Sequence, residues 1–184
     1  MEHPSTAELE AGIDTVMKSP PDNGCLELIV RRPAPGEREV LAEADLDVVF
    51  GLKGDSWPTR GSSRTPDGLA HPGMQVTLMN SRAASLFAGG EAGRKLAGDQ
   101  LYVDLDLSEE NLPVGTRVAI GSAVLEISVE PHTGCKKFAE RFGRDAARFV
   151  NSTVGRELRL RGANTVVILG GKVRTGDSVR RAPE

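Results

Sequence analysis

The sequence predicts a mainly β fold with short helices, in the form of a compact antiparallel or mixed β-barrel. Short runs of alternating apolar and polar residues recur along the chain, which is the pattern of half-buried strands. The 21 glycines and 11 prolines are scattered through the 184 residues, as suits short strands joined by turns. Strands and helices do not alternate regularly, so a doubly wound fold is excluded. Aromatic residues make up only 4% of the chain, so aliphatic side chains must form the core.

Residues 1–23 predict a helical arm, followed by a barrel domain at 24–184. Ser5 and Glu8 have the spacing of a capping box, which predicts a helix over residues 5–18. One face of that helix would carry Leu9, Ile13, Val16 and Met17. We expect the arm to pack on the outside of the barrel or on a partner subunit.

Alternation predicts a series of strands in the rest of the chain. They are 25–31, part of 38–50, 74–79, 100–105, 117–120, 123–130, 157–161, 165–169, and a final pair around 172–173 and 178–179. Helices are expected at 81–88, 91–96 and 136–150, the last interrupted at Gly143. Residues 51–72 are rich in Gly, Pro, Ser, Thr and Arg and predict a long exposed loop, of a length that tends to be functional or disordered.

Charge is distributed unevenly along the chain. Residues 131–184 carry 12 Lys/Arg and 5 Asp/Glu, whereas the first 130 residues carry 11 and 21. A basic last third on an acidic body favours an anionic small-molecule ligand, but a solvated surface would show the same division. One Trp and one Tyr offer little stacking surface, so a nucleic-acid partner is not expected.

Cysteine content and hydropathy predict a cytoplasmic protein with reduced thiols. Cys25 and Cys135 do not make a disulfide framework, no signal-peptide pattern begins the chain, and no apolar run reaches membrane-spanning length. Cys25 begins an apolar strand and is expected to be inert. No second ligand pair completes a zinc site, and no calcium loop is present, so neither zinc nor calcium is expected. Oligomeric state is left open.

Cys135 is the residue with the most reactive predicted setting. It follows a proline and a glycine that end a strand, and a helical pattern begins directly after it. A helix N-terminus, Lys136, Lys137 and His132 each favour the thiolate, which is the form that attacks electrophiles and binds soft metals. The alternative is a small buried apolar residue, the commonest role of a free cysteine. His132 is either a base or a turn residue.

Six segments, spread in order over most of residues 24–180, form a recognisable series. They are Gly51-Leu52-Lys53-Gly54-Asp55, Gln75–Met79, Gly98–Val103, Glu110–Gly115 with the strands at 117–127, the cysteine loop with Phe138–Gly143, and Leu169–Val173 with Gly176-Asp177. Together they resemble the MOSC domain, named for the C-terminal domain of molybdenum cofactor sulfurase. The resemblance implies a stand-alone, bacterial-type member with a barrel similar to that of pyruvate kinase and with one cysteine, here Cys135, lining a pocket.

The resemblance also implies two kinds of activity. Enzymes with such domains either pass sulfur to the molybdenum cofactor (molybdopterin) or hold that cofactor and reduce N-hydroxylated compounds. Cys135 would carry a persulfide in the first case, as a sulfur transferase does, and ligate molybdenum in the second, which suits a soft thiolate. Sulfur or electrons would come from a partner, either a cysteine desulfurase or a redox partner protein.

Several further site residues follow from the resemblance. Three basic side chains would attract an anionic pterin phosphate: Lys136, Lys137 and Arg141. His132 would help to manage the proton. Two more candidates are carried over from the matching motifs, Asp55 and Asn111.

The chain departs from the family pattern at two places. Many members have Pro-Cys where this chain has Gly134-Cys135, and a basic residue and a histidine where it has Ser56 and Trp57. The residues that would have to take over are Arg60 or His71. These departures support an alternative function, a non-catalytic module that keeps the fold and binds a small ligand or a partner.

Overall fold

The computed structural model describes residues 3–183. These residues form four α-helices: α1 (Thr6–Met17), α2 (Ser81–Ala88), α3 (Lys136–Asn151) and α4 (Thr153–Glu157). Three 3-10 helices are also present among them, at Trp57–Thr59, Pro72–Met74 and Glu91–Ala97, and the last lies where a helix was predicted at 91–96. They also form eleven strands: β1 (Gly24–Arg31), β2 (Glu39–Leu41), β3 (Glu43–Asp47), β4 (Gly51–Leu52), β5 (Val76–Asn80), β6 (Leu101–Asp104), β7 (Arg117–Ile120), β8 (Ala123–Ile127), β9 (Ala163–Leu169), β10 (Gly171–Arg174) and β11 (Ser178–Arg181). The predicted domain ranges begin at Met1-Glu2 and end at Glu184, which lie outside the described residues.

Seven of the described strands close into a barrel. Their order around the ring is β1, β11, β7, β8, β9, β5, β6 and back to β1. The pairing of β5 with β6 is parallel, and the other pairings in the ring are antiparallel. β2 adds to the edge of β1, and β10, β3 and β4 form a separate small sheet. The predicted mixed β-barrel is confirmed.

Two apolar cores hold the fold together. Aliphatic residues of the alternating strands fill the barrel, among them Leu26, Ile29, Leu78, Leu101, Val118, Leu125, Val167 and Val179. A second core packs α1, α2 and α3 against the outside of the barrel and includes Leu9, Met79, Phe87, Tyr102, Phe138 and Phe142. Burying each large apolar side chain contributes about 1.5–3 kcal/mol. No helix in residues 3–183 has the length and apolar character needed to cross a membrane.

The predicted N-terminal helix forms with its capping box. Ser5 Oγ accepts a hydrogen bond from the Glu8 amide, and the Ser5 amide donates to Glu8 Oε2 at 2.8 Å. Leu9 and Val16 are buried in the second core. Met17 is 62% exposed, so its predicted place on the buried face is wrong. The reason is rotation, because each helical residue turns about 100° from its neighbour and Val16 already occupies that face.

Two other local predictions need correction. Residues 157–161 do not form a strand, because Ser152 caps α4 and the chain then turns through Arg159, whose φ is +44°. Leu158 and Leu160 alternate with Arg159 and Arg161 in the sequence, which imitates the alternation of a strand. The loop predicted at 51–72 is only partly exposed, since it starts with β4 and buries Trp57.

Candidate functional site

A cavity of about 530 Å³ opens at the end of the barrel where β1 ends and β5 and β6 begin. Its wall is built from the segment after β1, the loop at 56–60, the turn before β6, the β8–α3 connection and the start of β9. Six basic side chains of the described chain line it, and no Asp or Glu of residues 3–183 does: Arg32, Arg38, Arg60, Lys137, Arg141 and Arg161. The cavity therefore attracts anions.

Cys135 lies in the wall of this cavity and is exposed. It is the residue that precedes α3, and its side chain forms no capping hydrogen bond. Asn151 fixes the loop, because its side-chain amide bonds both the amide and the carbonyl of Gly134 at 3.0 Å. A Cβ at position 134 would lie 2.6 Å from Val150 Cγ2, so the chain needs glycine there. The exposed position excludes the buried apolar role, whereas reactivity stays a prediction.

Arg32 is held in the cavity wall by Asp55. Arg32 Nε and Nη2 donate to the two carboxylate oxygens at 2.9 and 2.8 Å, and Nη1 donates to the Gly98 carbonyl at 2.8 Å. Burial raises the pKa of Asp55, but the hydrogen bonds and charge of Arg32 outweigh it, so the net pKa is below its ordinary value. The Trp57 amide also donates to Asp55. Asp55 therefore anchors the loop to β1 and does not line the cavity.

Arg161 forms the second buried ion pair. Its Nη1 donates to Asp99 Oδ2 at 2.6 Å, and its Nη2 donates to the Ala97 carbonyl at 3.1 Å. The guanidinium lies over the Phe138 ring, 5.0 Å from the centroid, where a cation–π contact adds to the attraction. This pair joins β9 to the turn before β6 and to α3.

Three arginines of the cavity have no carboxylate partner within residues 3–183: Arg38, Arg60 and Arg141. Arg141 donates to the Leu96 carbonyl at 2.9 Å, and the buried Nε of Arg38 has no hydrogen-bond partner among residues 3–183. Burial, with the charges of Arg141 and Arg32, lowers the pKa of Arg38. Unpaired guanidiniums that crowd one another are stabilised by an anion between them.

Gly98 is the point on which these arginines converge. Its φ is +91°, a conformation that favours glycine, and its carbonyl accepts from Arg32. A Cβ there would lie 3.1 Å from Arg141 Nη1 and 3.5 Å from Arg38 Nη2. The turn at 96–98 therefore brings paired and unpaired arginines to one place.

His132 lies in the same wall, with a side chain that is 14% exposed. Its Nδ1 is 3.4 Å from Asp99 Oδ1. Burial and the charge of Arg161 lower the pKa of His132 to about 3, although Asp99 opposes the shift. His132 is therefore neutral at physiological pH.

The structure brings together four of the predicted site residues: Cys135, His132, Lys137 and Arg141. Lys136 is 92% exposed beside Glu140 and does not line the cavity. Asn111 lies elsewhere, where its side chain donates to the carbonyls of Pro21 and Asp106. Of the substitutes for the missing basic residue, Arg60 lines the cavity with Ser56, whereas His71 does not.

The sequence did not indicate Arg32, Arg38, Arg161 or Asp99 as site residues. Arg32 and Arg38 come from the acidic part of the chain, so the charge division directed attention away from them. Arg161 lay in a segment assigned to a strand. A usable signal was the Arg31-Arg32-Pro33 sequence, since two arginines at a strand end followed by proline place a charge at the barrel rim.

No group of three or more His, Cys, Asp or Glu side chains in the described part of the chain could hold a metal ion. A metal in this cavity would need further ligands from outside the protein, with Cys135 as the sulfur donor. An anionic molecule that carried the metal would be attracted by the three arginines without a carboxylate partner.

Comparisons with known proteins agree with this architecture. YuaD from Bacillus subtilis is 19% identical with a TM-score of 0.60, over 88% of this chain and 97% of that one. YiiM from Escherichia coli is also 19% identical, with a TM-score of 0.57 over 87% and 70%, and YiiM from Geobacillus stearothermophilus is 14% identical, with a TM-score of 0.54 over 88% and 73%. At these identities the likeness shows the fold alone. No curated protein matches the sequence.

The family comparison covers the part of the chain that carries the cysteine. The MOSC domain family matches residues 87–180, just over half of the 184 residues, and this range contains Cys135, His132, Asp99 and Arg161. The chain belongs to the MOSC domain family.

Proposed function

We propose that this protein binds the molybdenum cofactor in the arginine-lined cavity and uses the sulfur of Cys135 in the chemistry of that cofactor. One observation carries the proposal. An exposed cysteine shares a cavity of about 530 Å³ with three arginines that have no carboxylate partner within the described chain.

The residues present fit such a group. A pterin phosphate is an anion, and arginine binds phosphate oxygens through paired hydrogen bonds. Arg38, Arg60 and Arg141 would hold it, and the buried Arg38 Nε is a donor without a partner in the part of the chain that the structure describes. The thiolate of Cys135 is a soft ligand suited to molybdenum. When bound, the cofactor supplies a metal that changes oxidation state and exchanges ligands with a substrate.

The protein's own side chains have distinct tasks in this proposal. Arg32 and Arg161, paired with Asp55 and Asp99, keep the cavity wall in place. His132 is neutral and offers a ring nitrogen that can accept a hydrogen bond. Lys137, at the cavity wall, attracts the anion as it approaches.

Two uses of the cysteine are compatible with this geometry. As a molybdenum ligand, Cys135 would anchor a cofactor that stays in the cavity, for reduction of N-hydroxylated compounds with a redox partner. As a sulfur carrier, its thiolate would attack the outer sulfur of a partner's persulfide, forming a Cys135 persulfide and releasing the thiolate of the partner, a cysteine desulfurase. The exposure of Cys135 favours the second use, and the cavity of about 530 Å³ beside it favours the first.

The test is metal and sulfur analysis of protein purified from cells that make the cofactor. Equimolar molybdenum with bound pterin, lost in Cys135→Ser and kept in Cys25→Ser, supports the ligand function. A persulfide on Cys135 without molybdenum supports the carrier function. Pterin bound equally by wild type and Cys135→Ser, with neither metal nor persulfide, would instead support the non-catalytic module. Absence of pterin, metal and persulfide from the wild type would contradict the proposal.

A further inference from the structure

The cavity wall contains an Asp–His pair whose two facing atoms are both buried. The Asp99 side chain is 0% exposed, and its Oδ2 is taken by Arg161 at 2.6 Å. Its Oδ1 lies 3.4 Å from His132 Nδ1. Neither of these two buried atoms has a hydrogen-bond partner in residues 3–183, and at 3.4 Å they face each other just beyond hydrogen-bond geometry.

This arrangement favours one position for the proton of His132. An ionised carboxylate only accepts hydrogen bonds, so the buried nitrogen that faces Asp99 Oδ1 is more stable when it carries the hydrogen. A neutral imidazole has one such hydrogen, and Nε2 is then a bare acceptor. The charged groups around the ring are Asp99, Arg161, Arg32 and Arg64, and the three arginines oppose a second proton.

The Nε2 atom is available to a ligand. No side chain or backbone group of the described residues forms a hydrogen bond with it, and the His132 side chain is 14% exposed. His132 and Asn164 separate the cysteine cavity from a second cavity of about 240 Å³. The imidazole therefore lies where bound molecules reach it.

We propose that Asp99 is a positioning residue that holds His132 in the Nδ1–H tautomer, so that Nε2 is an uncharged acceptor in a cavity of cationic donors. The ligand would then carry an N–H or O–H donor next to its anionic group. This second statement rests on the proposed ligand-binding function, whereas the tautomer does not.

Asp99→Asn should reverse the tautomer. Arg161 still needs an acceptor, so the amide oxygen of the new side chain would face Arg161 and its NH₂ would face His132. Nδ1 must then accept, and the proton moves to Nε2. The atom presented to the ligand changes from an acceptor to a donor without loss of the imidazole.

Nitrogen NMR of the full chain, ¹⁵N-labelled at histidine and free of ligand, reads the tautomer directly. The three histidines are assigned with His3→Gln and His71→Gln. We expect the Nδ1–H form for His132 at neutral pH and the Nε2–H form in Asp99→Asn. The matched control is Asp104→Asn, which removes a carboxylate bound by Arg82 at 2.8 Å and should leave the His132 signals unchanged.

Two NMR results would overturn the inference. One is an Nε2–H or charged His132 in the wild type. That measurement does not depend on the folding of any variant. The other is an unchanged tautomer in an Asp99→Asn protein whose other two histidine signals are native. The NMR sample contains no ligand, so the tautomer can be tested even if the protein does not bind the cofactor.

A pair of inorganic dianions tests the ligand statement. At about pH 8 phosphate is mainly HPO₄²⁻, which keeps an O–H donor, whereas sulfate has none. Calorimetry should show several-fold tighter binding of phosphate than of sulfate to the wild type, and loss of that preference in Asp99→Asn. Equal binding of both anions by the wild type would show that Nε2 does not contact the ligand, even where the tautomer is as proposed.

Discussion

The arginines of the cavity fall into two groups that the chain treats differently. Arg32 and Arg161 are buried against Asp55 and Asp99, so their charges are balanced inside the protein. Arg38, Arg60 and Arg141 have no carboxylate partner within residues 3–183. A buried carboxylate that loses its partner destabilises the fold, whereas an unpaired arginine repels its neighbours until an anion binds. The first group therefore stabilises the cavity wall, and the second is available to bind the ligand.

The largest expected effect is on the free energy of unfolding, which should fall when an arginine of the first group is removed but not when one of the second group is. Arg32→Ala leaves Asp55 buried without its counter-ion, and we expect the free energy of unfolding to fall by about 3–5 kcal/mol. Arg38→Ala removes no ion pair and should change it by less than about 1 kcal/mol. Urea denaturation measures both, and equal losses would mean that the two groups do not differ.

Anion affinity should depend mainly on the second group of arginines, which has little effect on stability. Removing Arg38 or Arg141 deletes charge-assisted hydrogen bonds to the ligand, worth about 1.5–3 kcal/mol each, so phosphate binding should weaken at least tenfold. Arg144→Ala, on an exposed residue of α3 that does not line the cavity, is the matched control. Calorimetric titration with inorganic phosphate tests this. Unchanged affinity in the double variant Arg38→Ala/Arg141→Ala would exclude these residues from the site.

His132, in the same cavity wall, should make stability depend on pH. Its pKa falls to about 3 in the folded protein, against 6.5 ordinarily, because burial and Arg161 disfavour the charged ring. Below pH 6.5 the unfolded chain binds a proton that the folded chain does not. Stability should therefore be full above about pH 6.5 and fall by up to about 1.4 kcal/mol per unit toward pH 3. His132→Gln should flatten this slope in urea denaturation at several pH values. The same slope in both proteins would contradict the assignment.

The smallest expected effect uses the two cysteines as probes of local charge. Burial, with the charges of Glu27, Asp104 and Asp177, raises the pKa of Cys25. Cys135 is exposed beside the basic cavity wall. Anionic iodoacetate, compared with neutral iodoacetamide, should favour Cys135 over Cys25 by a few-fold, and salt of about 1 M should remove the preference. Mass spectrometry of the labelled peptides gives the alkylation rates of both cysteines. A preference that persists in high salt would mean that steric access, and not local charge, causes it.

Local patterns were enough to predict the barrel and the cysteine loop. Strand alternation in β8 reflects one face buried in the barrel, and the capping box of α1 and the break at Gly143 depend on neighbouring residues only. The family resemblance placed Cys135 in a pocket, where the structure also has it. Each of these features is encoded in a short segment of sequence, so it could be predicted without knowing the tertiary structure.

The composition of the cavity wall could not be predicted in the same way. Arg32 meets Asp55 across 23 residues, and Arg161 meets Asp99 across 62, and neither spacing has a periodic signature. Asp55 was assigned to the site from its motif, but closure of the barrel places it behind Arg32. Such pairs depend on which strand ends meet at the rim, which is a property of the whole topology.

The most direct test of the account asks whether Cys135 and the unpaired arginines form one site. Alkylation of Cys135 by neutral iodoacetamide is followed while inorganic pyrophosphate is added, with sodium chloride at equal ionic strength as control. We predict a saturable slowing at Cys135, none at Cys25, and its loss in Arg38→Ala/Arg141→Ala. Slowing that chloride reproduces, or that survives in the double variant, would contradict the account.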